Sequence, residues 1–334
     1  MPQSSSLGII GTGSHNLEIQ SQALSAPQRN VMISHTQDDN ERRRSDAGPI
    51  VESRQTIPRT TLTIWNAVLS LFHAGLAALT LSVGTIDLEV PLYKSTIDFR
   101  FVVNNESASG DDDTPWELVP VYVAGGTLMF TWWVASFFIL SSFFHLMNAT
   151  LLRRFYLDQL ELCCTPTRWI EYFFSATVMI VIISYTLGIR DRDTLVSVGA
   201  LVATTMTFGY WVEQLGRPKS PDEWTMSLRY RLLPWFLGHI PQVLAWLLIV
   251  MRFYDVLSED DRAPAFVHAI LWVELVLFFS FGIASLMSQV YPPRLFYRGE
   301  IAFQVLSLVS KGLLGSLLIT NVLIYSSFDE IYNQ

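Results

Sequence analysis

The sequence predicts an all-α membrane protein whose seven helices form one bundle, with a small β-hairpin in the first outer loop. Half of its 334 residues are apolar and only 16% are charged. The apolar residues are gathered in long blocks, unlike those of a soluble domain. Each block has about 20 or more residues, enough to cross about 30 Å of hydrocarbon. The predicted spans are 60–84, 119–149, 164–188, 193–214, 230–256, 264–290 and 299–327.

Residues 1–58 are predicted to form a flexible tail, because they are rich in Ser, Gln, Asn and Arg and contain no apolar block. No basic start followed by an early apolar run is present, so no cleaved signal peptide is predicted. The net charge of −8 gives no indication of nucleic-acid binding. Residues 59–328 are the predicted membrane domain, followed by a short C-terminus at 329–334.

The distribution of basic residues predicts the orientation of the helices. Fifteen of the 22 Lys and Arg residues lie on the side of the N-terminus, and six lie on the opposite side. By the positive-inside rule, the N-terminus is cytoplasmic and the C-terminus extracellular.

The segment 85–118 between the first two spans is the only long loop predicted outside the membrane. Its alternating pattern at 96–103 predicts a two-stranded hairpin over the outer face. Asn105-Glu106-Ser107 is a glycosylation sequon on this side. The second span, 119–149, is longer than a bilayer requires, so it is predicted to tilt or protrude.

The two cysteines, Cys163 and Cys164, are adjacent, which is a poor geometry for a structural disulfide. They are predicted to be reduced thiols, with palmitoylation at the membrane edge as the alternative.

Lys311 is the only charged residue between Ile301 and Ile324 in the seventh span. A lysine at the centre of a membrane helix costs about 3 kcal/mol on insertion scales, so a functional or structural role is expected. Two explanations are open: an ammonium that pairs with a carboxylate between helices, or an amine that carries a chromophore. Desolvation favours the neutral amine, the form that condenses with an aldehyde.

The third span offers a partner for this lysine. Arg168 and Glu171 are three residues apart and share a helix face. Glu171 and Lys311 both follow a cytoplasmic helix start, so they are expected at comparable depth. This pair fits a structural bridge and a chromophore counterion equally well.

With these features, the sequence resembles the heliorhodopsins, retinal-binding proteins whose topology is inverted relative to other microbial rhodopsins. The resemblance covers about residues 60–327. The matching motifs are Trp65-Asn66 with His73 in the first span, Phe144-His145-Leu146 in the second, Arg168-Trp-Ile-Glu-Tyr172 in the third, Met206-x-Phe208-Gly209 in the fourth, Pro234-x-Phe236-x-Gly238 with Pro241 and Trp246 in the fifth, and Ser307-Leu-Val-Ser-Lys311 in the seventh.

The resemblance implies a role for each matching residue. Lys311 would bind all-trans retinal as a protonated Schiff base, Glu171 would be its counterion, and Ser307 would hydrogen-bond near the Schiff base. The candidates for lining the retinal pocket are Met206, Gly209, Trp246, Phe278, Phe279 and Phe281, although ordinary helix packing also explains the aromatic ones.

The polar residues around this site are candidates for a proton relay: His73, His145, Arg168 and Glu274. The alternative for each histidine is a hydrogen-bonded interhelical residue. Leu76 departs from the family, in which a glutamine is frequent three residues after the first histidine, so the network around His73 is expected to differ.

Two functions follow. The first is a light sensor without transport, with an unidentified signalling partner; the resemblance also implies a homodimer with the hairpin as a candidate contact. The second is a light-gated or light-driven proton pathway through Glu171 and Glu274, because intramembrane carboxylates are functional candidates. The alternative for Glu274 is a buried neutral carboxyl or a polar seam.

Three other classes of protein fit less well. In Asn321-Val-Leu-Ile-Tyr325, valine replaces the proline expected of an animal-type receptor. A transporter with a Lys–Glu bridge would absorb no visible light, and the sequence contains no evident internal repeat. No nucleophile–base or metal-ligand spacing indicates an enzyme.

Overall fold

The computed structural model describes residues 53–101, 116–259 and 263–324. In this part of the chain seven helices are long and apolar enough to cross a membrane. The predicted tail through residue 52, the sequon at Asn105 and the predicted extracellular C-terminus lie outside the described residues.

The helices are numbered here in chain order. They are α1 (Arg59–Val83), α2 (Phe130–Ala149), the short α3 (Arg153–Glu161), α4 (Pro166–Thr186), α5 (Arg192–Leu215), α6 (Leu228–Glu259), α7 (Ala265–Val290) and α8 (Phe296–Leu318). A 3₁₀ turn at Pro293–Leu295 precedes α8, and a π-helical turn at Ile319–Leu323 extends it. The seven spanning helices are therefore α1, α2 and α4 to α8.

The predicted hairpin is present, but it is longer than predicted. Strand β1 (Glu89–Phe101) pairs antiparallel with β2 (Trp116–Met129). The second span accordingly begins at Phe130, and the prediction of one helix over 119–149 that tilts or protrudes is wrong, because residues through Met129 belong to the hairpin. Pro120 and the Gly125-Gly126 pair disfavour helix formation in this segment. Gly126 has φ +106° and lies beside a register shift between the two paired strands.

The spanning helices close into a ring. Each of them contacts its neighbour in sequence, and α8 returns to contact α1 and α2. The most buried of these helices is α4, because it packs against α2, α5 and α7 and its side chains also contact α8. The largest apolar core includes Phe137 and Phe138 of α2, Ile180 of α4, Trp246 of α6, Phe278 of α7 and Leu314 of α8.

The two cysteines lie in the turn between α3 and α4, and both are buried free thiols. Burial raises the pKa of Cys163 above its usual range and that of Cys164 to about 12. Gln214 donates a hydrogen bond to Cys164 Sγ over 3.1 Å. Thiols in these surroundings agree with the prediction of reduced cysteines, and their burial opposes palmitoylation.

Candidate functional site

Lys311 and Glu171 form a buried ion pair at the centre of the bundle. Lys311 Nζ lies 2.8 Å from Glu171 Oε1, and each residue is 3% exposed. Ser141 of α2 donates a hydrogen bond to the same carboxylate oxygen over 2.7 Å and accepts one from Lys311. The structure thus brings together the two residues that the sequence predicted to meet, and adds Ser141, which the sequence did not indicate.

A cavity bordered by α4 to α8 begins at this lysine. The space between its walls, including the part open to the surroundings, is about 780 Å³. Six predicted pocket residues line it: Met206, Gly209, Phe278, Phe279, Phe281 and Ser307. Trp246 does not line it; this indole lies behind Phe278, with the two ring centroids 5.4 Å apart.

An aromatic cluster that the sequence did not single out forms the wall near Lys311. Tyr172 lies with its ring centroid 5.3 Å from Lys311 Nζ and donates a hydrogen bond to the Phe303 carbonyl over 3.0 Å. Trp169 packs edge-on against Phe303 at 5.7 Å and covers Gly209. Trp169 and Tyr172 were within the matched third-span motif, which was the available signal for them.

Ser307 lies one turn before Lys311 and lines the cavity. Its Oγ is buried and has no hydrogen-bond partner among the described residues. A polar group of this kind at the wall fits a ligand atom or a water molecule that can hydrogen-bond to it.

Two histidines lie on the side of the ion pair toward α1. The rings of His73 and His145 are stacked, with centroids 5.7 Å apart and planes 3° apart. Asn66 Nδ2 donates to the Leu62 carbonyl over 2.9 Å, so Asn66 Oδ1 faces His145 Nδ1 at 2.8 Å and can only accept. The proton of a neutral His145 is therefore on Nδ1, which leaves the buried Nε2 as a free base.

Glu274 reaches the lysine helix from α7. It is 1% exposed, and Ser310 donates a hydrogen bond to Glu274 Oε2 over 2.6 Å. Among the described residues no cation pairs with Glu274, and its Oε1 has no partner. This geometry fits both predictions for Glu274, a buried neutral carboxyl and a member of a proton pathway, since its hydrogen-bond donor Ser310 is the residue next to Lys311.

Arg168 does not face Glu171, although the two share α4. Its guanidinium forms buried ion pairs with Glu213 of α5 and Glu300 of α8. The sequence did not indicate either carboxylate as functional, because both lie at the ends of apolar segments, where solvated charges are common. Phe303 stacks beneath this guanidinium at 4.0 Å.

A seven-helix membrane bundle with a lysine–carboxylate pair at one wall of an apolar cavity has the architecture of a rhodopsin. The family model for heliorhodopsin matches residues 62–323. The chain therefore belongs to the heliorhodopsin family, a family of retinal-binding membrane proteins.

A solved structure supports the fold. A thermophilic rhodopsin from Rubrobacter xylanophilus is 15% identical over 78% of this chain and 95% of its own, with a TM-score of 0.50. A light-driven proton pump from Leptosphaeria maculans is 9% identical over 80% of this chain and 95% of its own, with a TM-score of 0.40. At 15% identity the likeness to the first structure shows the fold alone, and the weaker likeness to the second carries no argument. A search among curated proteins gave no match.

Proposed function

We propose that the protein is a photoreceptor that holds all-trans retinal as a protonated Schiff base on Lys311, with Glu171 as the counterion. The observation that carries the proposal is the buried pair of Lys311 Nζ and Glu171 Oε1, 2.8 Å apart, at the wall of a cavity lined mainly by apolar and aromatic residues. A long apolar polyene with one reactive aldehyde fits this combination of one amine and many hydrophobic contacts.

Bound retinal would supply visible absorption and a light-driven isomerisation. The chain would supply the electrostatics: Glu171 balances a positive charge on the Lys311 nitrogen, and Ser141 holds the carboxylate in place. Trp169, Tyr172 and Phe303 form an aromatic wall beside the pair. A shift of charge at Lys311 would alter this ion pair, which connects three helices through Ser141, Glu171 and Lys311.

The test is reconstitution of the purified protein with all-trans retinal. A visible absorption band is expected, and borohydride reduction is expected to fix the chromophore on the peptide that contains Lys311. Lys311→Ala should form no band, whereas the matched control Lys219→Ala, an exposed lysine paired with Glu223, should keep it. Glu171→Gln should move the band to longer wavelength. The carboxylate stabilises the positive charge on the Schiff-base nitrogen in the ground state, so its removal should reduce the excitation energy. A normal band in Lys311→Ala would refute the attachment site.

A light sensor is the function that we favour, and a proton pathway is the second candidate. The observation in its favour is Glu274, buried and hydrogen-bonded to Ser310, the neighbour of Lys311. With His145 Nε2 available as a base, acidic and basic groups flank the lysine.

Photocurrents in voltage-clamped cells distinguish the two functions. A proton pathway requires a current that follows the proton gradient and falls in Glu171→Gln and Glu274→Gln. A sensor gives no steady current although the coloured protein is at the cell surface. Currents unchanged by Glu274→Gln would exclude this carboxyl from the pathway.

The predicted orientation, with a cytoplasmic tail before residue 59 and an extracellular C-terminus, is part of the same proposal. The excess of Lys and Arg on one side supports it. Protease or antibody access to tags at the two ends of the chain in intact cells tests it, and access to an N-terminal tag from outside would reverse the assignment.

We also propose a homodimer that uses the hairpin. Phe99, Leu118 and Tyr122 are 67%, 59% and 74% exposed on this hairpin, which is a large apolar surface for a loop. Native mass spectrometry in detergent should show a dimer that is lost in Phe99→Glu/Tyr122→Glu. A dimer that survives both substitutions would move the contact elsewhere.

A further inference from the structure

Arg168, Glu213 and Glu300 form a buried charged triad with an uneven number of charges. They are 3%, 2% and 2% exposed. Nη2 of the guanidinium pairs with Glu213 and Nη1 with Glu300. One guanidinium therefore lies between two carboxyl groups, which would leave one uncompensated negative charge if both were ionised.

The surrounding groups donate hydrogen bonds but bring no second positive charge. The backbone N–H and Oγ1 of Thr165 donate to Glu213 Oε2 over 2.8 and 3.1 Å. Tyr156 of α3 donates to Glu300 Oε1 over 3.1 Å, and Gln304 Nε2 donates to the same oxygen over 3.2 Å. Among the described residues, Arg168 is the only cation that pairs with either carboxyl.

The other titratable groups near the triad include Tyr156 of α3, Tyr172 of α4, His145 of α2, and Cys163 and Cys164 of the turn before α4. Burial raises the pKa of the Tyr156 phenol well above its usual range, and the nearby Glu300 adds to this shift. Tyr156 is therefore a neutral donor. Cys164 is likewise a neutral thiol, because burial raises its pKa to about 12. Because Tyr156 and Cys164 are both neutral, neither compensates the excess negative charge of the triad.

Burial makes an uncompensated charge expensive. The effective penalty for one buried ion is several kcal/mol, and an added proton removes it. Two carboxyl groups that share one counter-charge behave as a coupled pair with one proton between them. Two polar atoms of the cluster, Arg168 Nε and Gln304 Oε1, are buried and have no partner among the described residues. Each of these atoms is available for a hydrogen bond to water.

We propose that Glu213 and Glu300 together hold one exchangeable proton, with Arg168 as the positioning residue. When light changes the charge at Lys311, this site releases the proton to the solution on the N-terminal face of the bundle. In the release step the carboxyl O–H bond breaks, the proton passes to water, and a second carboxylate remains beside Arg168. Arg168 precedes Glu171 by one turn on α4, so a change in the Lys311–Glu171 pair acts on the same helix. The light-driven release of the proton rests on the proposed function, whereas the stored proton does not depend on it.

The stored proton is measured in the dark and without retinal. Infrared spectra of the full chain in Glu274→Gln, which removes the buried carboxyl outside the triad that has no cationic partner among the described residues, should contain the C=O band of one protonated glutamic acid, and this band should shift in D₂O. Glu213→Gln and Glu300→Gln, each added to that background, leave one carboxylate for one guanidinium and should remove the band. Glu223→Gln, an exposed glutamate paired with Lys219, is the matched control and should retain it. Three results would overturn the proposed stored proton. They are the absence of a band in Glu274→Gln protein, a band that survives both further substitutions, and a band that never shifts in D₂O.

The release is measured with a pH-sensitive dye after a flash in weakly buffered, retinal-loaded protein. A transient acidification is expected, and Glu300→Gln should abolish it while the visible band persists. Coloured protein with no acidification would overturn the coupling to light. Protein that forms no visible band would contradict the retinal proposal, and the dark spectra would still decide whether the triad holds a proton.

Discussion

Gly209 is the position at which one methyl group should have the largest effect on the retinal cavity. An added Cβ would lie 2.7 Å from Cε3 of the Trp169 indole and closer still to Cζ3 and Cη2. Carbon atoms in contact normally lie about 3.5–4.0 Å apart, so the ring would have to move by about 1 Å or more. Trp169 is 6% exposed and packs against Tyr172 and Phe303, which leaves little room for that movement.

Gly209→Ala should therefore destabilise the protein by about 1–3 kcal/mol, the usual cost of an overpacked core. The gain in helix propensity, about 1 kcal/mol for glycine to alanine, is included in this net figure and reduces it. Gly75→Ala is the matched control, since nothing lies within 4 Å of an added Cβ there. It should be neutral or stabilising by up to about 1 kcal/mol.

The assay is equilibrium unfolding of the apoprotein in mixed micelles, followed by the thermal loss of the visible band in the loaded protein. Trp169→Leu in the Gly209→Ala background completes a double-mutant cycle and should recover part of the loss, because the clashing ring is absent. The reasoning fails if Gly209→Ala is as stable as Gly75→Ala, or if the cycle shows no coupling between the two positions.

Three further predictions concern other parts of the molecule. Asp191→Ala should cost about 0.5–2 kcal/mol, because Asp191 caps α5 by accepting from Thr194 N and Oγ1, each over 2.7 Å. Burial alone would raise the pKa of Asp191, but hydrogen bonds from Thr194 and Ser95 outweigh it and hold this pKa below its usual value. Its stabilising contribution is thus complete above about pH 4 and is lost as the pH falls through the lowered folded-state pKa. Cys163 and Cys164 should not react with a thiol reagent at pH 8 in the folded protein and should both react in denaturant, since their raised pKa values and burial leave little accessible thiolate. Ser141→Ala should lower the free energy of unfolding by about 1.5–3 kcal/mol, the range for a hydrogen bond to a charged group.

The controls for these predictions come from the same chain. Asp191→Asn keeps a capping oxygen and should retain most of the stability at neutral pH, while its pH dependence near pH 4 disappears. Rapid labelling of the native cysteines would contradict their burial. Ser258→Ala removes an exposed hydrogen bond to the Asp255 carbonyl and should leave the free energy of unfolding nearly unchanged. If it costs as much as Ser141→Ala, the buried hydrogen bond of Ser141 adds no more stability than an exposed one.

Much of the fold was predictable from hydropathy, and the main error has a physical cause. Residues 119–129 are as apolar as a membrane helix, so a hydropathy average joined them to α2. Their residue-by-residue pairing with β1 makes them a strand, and Pro120 and the paired glycines favour a strand with a bulge over a helix. Average hydropathy reports burial in lipid or protein and does not report backbone conformation.

By itself, the sequence determined the number of membrane spans, the lysine of the seventh span and the carboxylate of the third, because burial of a charge in an apolar helix is costly enough to be evident from one segment. Only the tertiary structure decided the partners of Arg168. Arg168 and Glu171 are three residues apart, yet one points to Glu213 and Glu300 and the other to Lys311. Successive residues of a helix differ by about 100° in direction, so the rotation and packing of α4 between its neighbours select the partners. The rotation and packing of α6 likewise place Trp246 behind Phe278 and away from the cavity.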